Sequence, residues 1–258
     1  MRIAIVGGTG TLGSHVTEEL RARGHDVRVL SRRSPEHPVD LTTGAGLAAA
    51  LAGCDVVVDA ANSRSAKGAE RALVDGTRNL LAAGRAAGVG HHVCVSIVGC
   101  DRVPVGYYRV KTAQEQAVAE GPVPWTVVRI TQFHELAGEA FAALGRWRLL
   151  PVPKARLQTI AAADAARAVA DAAERPARLG RVEAAGPETA DARELARTWR
   201  AVTGRRVLQL PLPLPGALGR ALRAGGLTTG RPDTRGTVTF AEWLARDAAA
   251  APERTPVR

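Results

Sequence analysis

Residues 3–13 constrain this chain more than any other stretch: Ile3-Ala4-Ile5-Val6 runs straight into Gly7-Gly8-Thr9-Gly10-Thr11-Leu12-Gly13, and a helix-like segment follows. The apolar, β-branched run reads as a buried strand that must stop at the first glycine. The G-x-x-G-x-x-G spacing then calls for a tight turn, a close approach of backbone to ligand, and a helix that opens with its amides free. Ser14 to Arg23 supplies the helix, with Val16 and Leu20 at helical spacing, and Gly24-His25-Asp26 breaks it before a second strand, Val27 to Leu30. This is the pattern of a dinucleotide-binding βα turn, with Gly7, Thr9, Gly10, Thr11, Leu12 and Gly13 around a pyrophosphate.

The end of the second strand selects the cofactor, because NAD-selective folds place an acid about 20 residues on to hold the ribose 2′-hydroxyl. Here the chain reads Ser31-Arg32-Arg33-Ser34, a hydroxyl and two guanidiniums suited to a 2′-phosphate. The expected cofactor is therefore NADPH.

Strands and helices alternate through the first half. The patterning predicts a short third strand at Val39 to Leu41, a helix at Gly44 to Leu51, a fourth strand at Asp55 to Ala61 and a long helix at Ala66 to Ala87. A fifth strand at His92 to Val98, a helix at Tyr108 to Ala119 and a sixth strand at Trp125 to Ile130 follow, the last introduced by Gly121-Pro122-Val123-Pro124. Repeated βα units imply an α/β fold with a doubly wound parallel sheet. Beyond residue 131 the pattern loosens. A helix at Ala161 to Glu174 and a strand at Arg181 to Ala185 return to the sheet, followed by a helix around Ala190 to Thr203, an extended Val207 to Pro215 and a closing helix from Phe240 to Ala250. The expectation is a single unit, its core formed by residues 1–130 and 155–187, with a small substrate-binding lid from 131–154 and 188–250; residues 251–258 are expected to fray.

Composition narrows the function classes. The net charge of +10 comes from scattered arginines, and an aromatic fraction of 3% leaves little for base stacking, so no nucleic-acid partner is expected. Cys54, Cys94 and Cys100 have no metal-ligand or C-x-x-C spacing and read as small buried residues of a reducing compartment, with no metal. Neither a leader pattern nor a membrane-length apolar run is present, which points to a soluble cytoplasmic protein without a membrane partner.

Chemistry concentrates in one place. The chain has two tyrosines, Tyr107 and Tyr108, and three lysines, Lys67, Lys111 and Lys154. Tyr107 and Lys111 form Tyr-x-x-x-Lys, one helical turn apart on one face. A carbonyl receiving hydride needs an acid, and a phenol beside a fixed cation supplies one. Ser96, at the end of the fifth strand, is positioned to polarise the same oxygen. His134 and Phe133 leave the carboxyl end of the sixth strand, where open α/β sheets bind ligands, and are candidate substrate contacts. His91 and His92 open a strand and read as solvated; Trp147, Leu149, Leu150 and Leu210 to Leu214 line either an apolar pocket or the lid core.

With Gly7, Gly10 and Gly13, with Gly76-Thr77-Arg78-Asn79-Leu80-Leu81, and with Ser96, Tyr107 and Lys111, the chain resembles the short-chain dehydrogenase/reductase superfamily, in its atypical, NmrA-like branch of NAD(P)H-binding proteins. Pro122-Val123-Pro124-Trp125-Thr126-Val127-Val128-Arg129 and Thr239-Phe240-Ala241-Glu242-Trp243-Leu244 carry the same resemblance. It implies a Rossmann fold, hydride transfer to carbonyls or quinones, and Ser96-Tyr107-Lys111 catalysis in which Lys111 also holds the nicotinamide ribose. It further implies Asp40 and Leu41 near the adenine, and Ala60 and Ala61 near the cofactor ribose. The chain departs from the family at Leu73, which takes the place of a relay Asn, and at Ile130-Thr131-Gln132-Phe133, which replaces Pro-Gly. The expected function is an NADPH-dependent ketoreductase or quinone reductase acting on an apolar, aromatic or polyketide-like molecule, as a monomer or homodimer. A non-catalytic NADPH sensor and a non-redox epimerase or cyclase are the alternatives.

Overall fold

The computed structural model describes residues 1–63, 68–146 and 148–250, the last without its side chain. β1 (Arg2–Val6) passes through the glycine turn into α1 (Thr11–Ala22), then β2 (Asp26–Leu30), α2 (Leu47–Leu51) and β3 (Val56–Asp59). A π-helical turn at Arg71–Asp75 runs into α3 (Gly76–Ala86), and β4 (His91–Ile97), α4 (Gly106–Ala119) and β5 (Trp125–Ile130) complete the alternation. Next come α5 (His134–Gly145), β6 (Leu149–Pro153), β7 (Arg156–Leu157), α6 (Ala162–Glu174) and β8 (Gly180–Ala185). The remainder is β9 (Ala190–Asp191), α7 (Ala192–Thr203), β10 (Leu208–Leu212), α8 (Gly216–Arg223), β11 (Thr234–Arg235) and α9 (Phe240–Ala250).

Among the described residues seven strands form one sheet in the order β11-β8-β5-β4-β3-β1-β2, with every neighbouring pair parallel. The chain moves outward from β1 to β2 and then crosses back to β3 on the other side, so the order reverses at β1, where doubly wound sheets bind ligands. The apolar runs of the central strands follow from burial on both faces. Ile3, Ile5, Val56, Val58, Val93 and Val128 pack with α1 and α6, while Ala4, Val6, Val57, Cys94 and Val127 pack with Leu47, Leu51, Leu80, Leu81 and Val118 on the opposite face. The alanines of α6 let it lie close to α1, and Arg23 ties the two by donating to Asp171 and Glu174, both at 2.7 Å.

A third apolar cluster joins Leu150, Val152, Leu195, Trp199, Val207, Phe240 and Leu244. Here β6 pairs with β10 in parallel and β7 with β9 antiparallel, separate from the main sheet. No periodic signal marks α5, because Gly138 and Gly145 dilute it. Both glycines are required by packing: a Cβ on Gly138 would meet the Trp243 ring at 2.9 Å, and one on Gly145 the Trp199 ring at 2.8 Å. Of the residues expected in this region, Leu150 is fully buried while Leu149, Leu210 and Leu212 are exposed; Trp147 lies outside the described residues.

Several boundaries differ from the pattern. Val39 to Leu41 is not a strand: pairing beyond β2 stops at a single bridge, Ser31 to Pro38. Asp40 explains the break, since its Oδ1 accepts from the Thr42 amide at 2.8 Å and the Thr42 hydroxyl at 2.7 Å, closing an Asx turn. The helix expected from Gly44 begins at Leu47, because Gly44 and Gly46 both have positive φ. The helix expected over Ala66 to Ala87 is described only from residue 68 onward, and the expected fraying of 251–258 lies outside the described residues. His91 and His92 are buried, at 6% and 1% exposure, since they open a central strand covered on both faces. Burial lowers the His91 pKa to about 4. Among the described residues no helix is long and apolar enough to cross a membrane.

Candidate active site and cofactor cleft

The glycine turn is built around backbone contacts that exclude a Cβ. Gly7, at φ +75°, donates to the Leu30 carbonyl at 3.2 Å, and a Cβ there would sit 2.7 Å from the Ala60 carbonyl oxygen. Gly13 is tighter, since its Cβ would fall 2.1 Å from the Gly7 carbonyl oxygen. α1 therefore starts pressed against the end of β1. No side chain caps it at Gly10 and its first turn holds no acid, which leaves the positive end of the helix free for an anion. Thr9, Gly10 and Thr11 are exposed at this end, whereas Leu12 turns into the core at 7% exposure. Gly13→Ala is expected to lower stability by ~1–3 kcal/mol through overpacking and to weaken NADPH binding. Urea denaturation and a cofactor titration check both effects.

On one side of this turn, Arg32 and Arg33 are exposed and, among the described residues, neither forms an ion pair. Ser31 is half-buried, and its Oγ accepts from the Arg33 amide at 3.2 Å, which curls the chain after β2. Asp40 is held below the usual carboxylate range by its bonds to Thr42 and by the charge of Arg32. The Gly76-Thr77-Arg78-Asn79 motif acquires a physical meaning here. Gly76 lets α3 abut Leu41, with a Cβ 3.0 Å from the Leu41 Cβ, and Asn79 donates to the Leu41 carbonyl at 2.8 Å. The same helix thus fixes the loop expected beside the adenine.

On the other side, Asp59 closes β3. Its Oδ1 accepts from the Ala61 amide at 3.1 Å, and its Oδ2 from Thr77 Oγ1 at 2.9 Å and Gln114 Nε2 at 3.1 Å. Gln114 Oε1 in turn accepts from Lys111 Nζ at 2.5 Å, and Lys111 also donates to the Val95 carbonyl at 2.7 Å. Lys111 is only 4% exposed. Its side chain is anchored to the sheet through a hydrogen-bond chain that runs by way of Gln114 and Thr77 to buried Asp59. Thr77 belongs to the Gly76-Thr77-Arg78-Asn79 motif, whereas nothing in the spacing of Asp59 and Gln114 is distinctive.

Tyr107 lies at the start of α4, one turn before Lys111, and its hydroxyl donates to Asn62 Oδ1 at 2.6 Å. Asn62 follows β3 at the carboxyl edge of the sheet. The expected influence of the lysine on the phenol is not seen: burial, with a smaller push from Tyr108, raises the Tyr107 pKa to about 12. The phenol is fully protonated at neutral pH, the form a proton donor needs.

Ser96 is placed differently from the expectation. Alternation along β4 turns Cys94 and Ser96 toward the helices α3 and α4, and the Ser96 hydroxyl donates to Glu115 Oε1 at 2.6 Å. Glu115 is 1% exposed and receives two bonds from Arg129, at 2.9 and 2.7 Å, and one from Arg181 at 2.9 Å. Ser96 thus completes a buried ion-pair cluster. His134, expected against substrate, is likewise committed. Its Nε2 donates to the Val238 carbonyl at 2.9 Å, which fixes the tautomer, and Nδ1 accepts from Thr159 Oγ1 at 2.9 Å. Burial keeps the ring neutral, and it packs on Phe240 and Trp243. Phe133 is half-buried against the main core cluster. Leu73, at the place of the family's relay Asn, is 1% exposed and packed.

A cavity of about 530 Å³ lined by Lys154, Arg156, Arg193 and Arg223, and one of about 320 Å³ lined by Thr126, Asp171 and Thr234, include neither the glycine turn nor Tyr107. The residues expected to hold the cofactor stand instead at the carboxyl ends of the strands, with the glycine turn after β1, Ser31 to Arg33 after β2 and Asn62 after β3.

Comparison with known proteins shows the family. The family model described as NAD(P)H-binding matches residues 7–176, from the first glycine of the turn to the end of α6. The chain belongs to the NAD(P)H-binding family. A ceramide reductase of Caulobacter vibrioides is 30% identical over 275 aligned positions, which cover 95% of this chain and 84% of that protein. The NADPH complex of an NADPH-dependent quinone oxidoreductase from Escherichia coli superposes with a TM-score of 0.81 at 21% identity, covering 95% of this chain and 99% of the other. A nucleoside-diphosphate-sugar epimerase from Staphylococcus aureus gives 0.80 at 19% identity, covering 95% and 100%. At these identities the two structures show a shared Rossmann fold.

Proposed function

We propose that this NAD(P)H-binding protein is an NADPH-dependent reductase of a carbonyl or quinone on an apolar, aromatic or polyketide-like molecule. The observation that carries the reading is Tyr107, a protonated phenol at the carboxyl edge of the sheet, one turn from an anchored Lys111 and bonded to Asn62 at 2.6 Å. The bound cofactor would supply hydride from its nicotinamide ring. Tyr107 delivers the proton to the reduced oxygen, and Asn62 aims the phenol, taking the orienting part that Ser96 does not fill. Lys111, held by Val95 and Gln114, presents its remaining N–H to the ribose and keeps a positive charge near the developing oxyanion. The names of the ceramide reductase and the quinone oxidoreductase support reduction of an apolar substrate.

The test is NADPH oxidation against a panel of aromatic ketones, quinones and long-chain ketones. Turnover of one class supports the reading; tight NADPH binding with no oxidation by any of them overturns it.

Cofactor choice rests on the unpaired guanidiniums at the end of β2. Replacing Arg32 and Arg33 by Ala together is expected to reduce the preference for NADPH over NADH by ~10–100-fold, the weight of one or two charge-assisted bonds to phosphate. Dissociation constants for both cofactors measure it, and an unchanged ratio refutes the assignment.

A further inference from the structure

β6 and β10 form a ribbon outside the main sheet, and its two faces differ. Register pairs Leu208 with Leu149, Leu210 with Pro151 and Leu212 with Pro153, and strand alternation puts these six side chains on one face. Leu150 and Val152 take the other face, at 0% and 1% exposure, and pack into the third apolar cluster. The first face looks outward: Leu149 is 47% exposed, Leu208 61%, Leu210 39% and Leu212 41%. Four exposed leucines on one short ribbon make a contiguous apolar patch, and such patches mark interaction surfaces.

The charge of the chain gathers at the same place. Residues 140–163 and 195–232 hold eleven Arg and Lys and no Asp or Glu, while the remainder has 24 cations against 25 acids, so the excess of +10 belongs to these two segments. They are distant in sequence, but β6 pairs with β10 and the Leu208 amide donates to the Arg148 carbonyl at 2.8 Å, which sets them side by side. Exposed Arg148, Arg205 and Arg206 stand where the two strands begin, and exposed Lys154 and Arg156 stand just past the end of β6. Lys154 and Arg156, with Arg197 and Arg223, line the cavity of about 530 Å³, in which Asp191 and Glu194 are the acids. An apolar strip ~17 Å long therefore runs between two cationic ends.

These features choose among occupants. A second copy would set its own cations against these, and like charges repel. A partner strand added at β10 would lack an amide at Pro211. None of the six side chains is aromatic, so the face lacks the anchors that dominate protein interfaces. A bilayer with anionic headgroups needs neither amides nor anchors, because leucines enter the acyl boundary while cations meet the phosphates.

We propose that the outer face of the β6–β10 ribbon docks on an anionic phospholipid surface, with Leu149, Leu208, Leu210 and Leu212 in the acyl boundary and the flanking cations on the headgroups. The contact is with one leaflet and needs no spanning helix. It goes beyond the reductase reading and does not depend on it.

The test is flotation of the whole protein with vesicles of equimolar phosphatidylcholine and phosphatidylglycerol, and with vesicles of phosphatidylcholine alone. Binding to the first is expected to be at least ~10-fold stronger and to weaken as salt is raised. Leu208→Ser with Leu210→Ser is expected to lower partition by ~10-fold or more, and Arg205→Gln with Arg206→Gln by ~10–30-fold. All four positions are exposed, so an unchanged urea midpoint separates lost docking from lost fold. A leucine variant that binds anionic vesicles as well as the wild type reduces the contact to electrostatic adsorption, and equal binding to both vesicles, or to neither, removes the headgroups; each result overturns the proposal. Capture of polyglutamate in place of vesicles assigns the face to an acidic protein, and a dimer in light scattering that the leucine variant dissociates assigns it to a second copy; either also overturns it. NADPH binding by the same preparations reports on the reductase reading separately.

Discussion

Tyr107→Phe is expected to lower kcat for carbonyl reduction by ~10²–10⁴-fold, the usual weight of a positioned proton donor, while the dissociation constant for NADPH stays unchanged. The substitution removes one hydroxyl whose bond goes to Asn62, an exposed side chain, so the fold loses at most ~1 kcal/mol. The pH profile carries more information than the rate alone. Burial disfavours the phenolate and raises the Tyr107 pKa to about 12, so the donor stays protonated across the working range and kcat should not fall on the alkaline side below pH ~10. A lysine-activated phenol would instead lose its proton, and the rate, well below that. Asn62→Ala should lower kcat less than Tyr107→Phe, because it misaims the phenol without removing it. Full activity in Tyr107→Phe would move the proton transfer to another group.

Glu115→Ala should destabilise the protein by ~3–5 kcal/mol, as removal of one partner from a buried pair does. Glu115 is 1% exposed and binds Arg129 through both carboxylate oxygens, with Ser96 and Arg181 completing its shell. Without it Arg129 keeps, among the described residues, only Asp101, at 3.0 Å near the surface, as a counter-ion. Urea denaturation followed by circular dichroism gives the difference, and a loss under ~1 kcal/mol would show that Asp101 and water suffice. The sign with pH is defined. Burial pushes the Glu115 carboxyl up, but its bonds to Arg129, Ser96 and Arg181 prevail and hold it below the usual range. Its stabilisation is therefore present above the ordinary carboxylate pKa and is lost as pH falls through the depressed folded value. Glu115→Gln should accordingly flatten the acid limb of the stability curve.

The same cluster shows why the site was only partly legible. Tyr107 and Lys111 stood out because tyrosine and lysine are scarce in this chain and their separation matches one helical turn. Ser96 was identified by its position at a strand end, yet which face of a strand a side chain takes depends on register, and register is set by the neighbours of β4. Glu115 and Arg129 lie 14 residues apart on different elements and meet only because α4 packs over β4 and β5. His134 had a suggestive position but no visible partners, since Thr159 and Val238 come from distant parts of the chain.

The sequence by itself determined the parallel sheet, the glycine turn and the cofactor-binding character, because these rest on short-range rules. Alternating strand and helix periods, glycines where a Cβ would meet backbone at 2.1 and 2.7 Å, and guanidiniums at a strand end are all local. The tertiary structure alone decided what each polar group bonds to: Ser96 to Glu115, Lys111 through Gln114 to Asp59, and Tyr107 to Asn62. Burial makes an unmet hydrogen bond costly, so each group is claimed by whatever partner packing brings within reach. Packing joins segments that no spacing in the sequence relates.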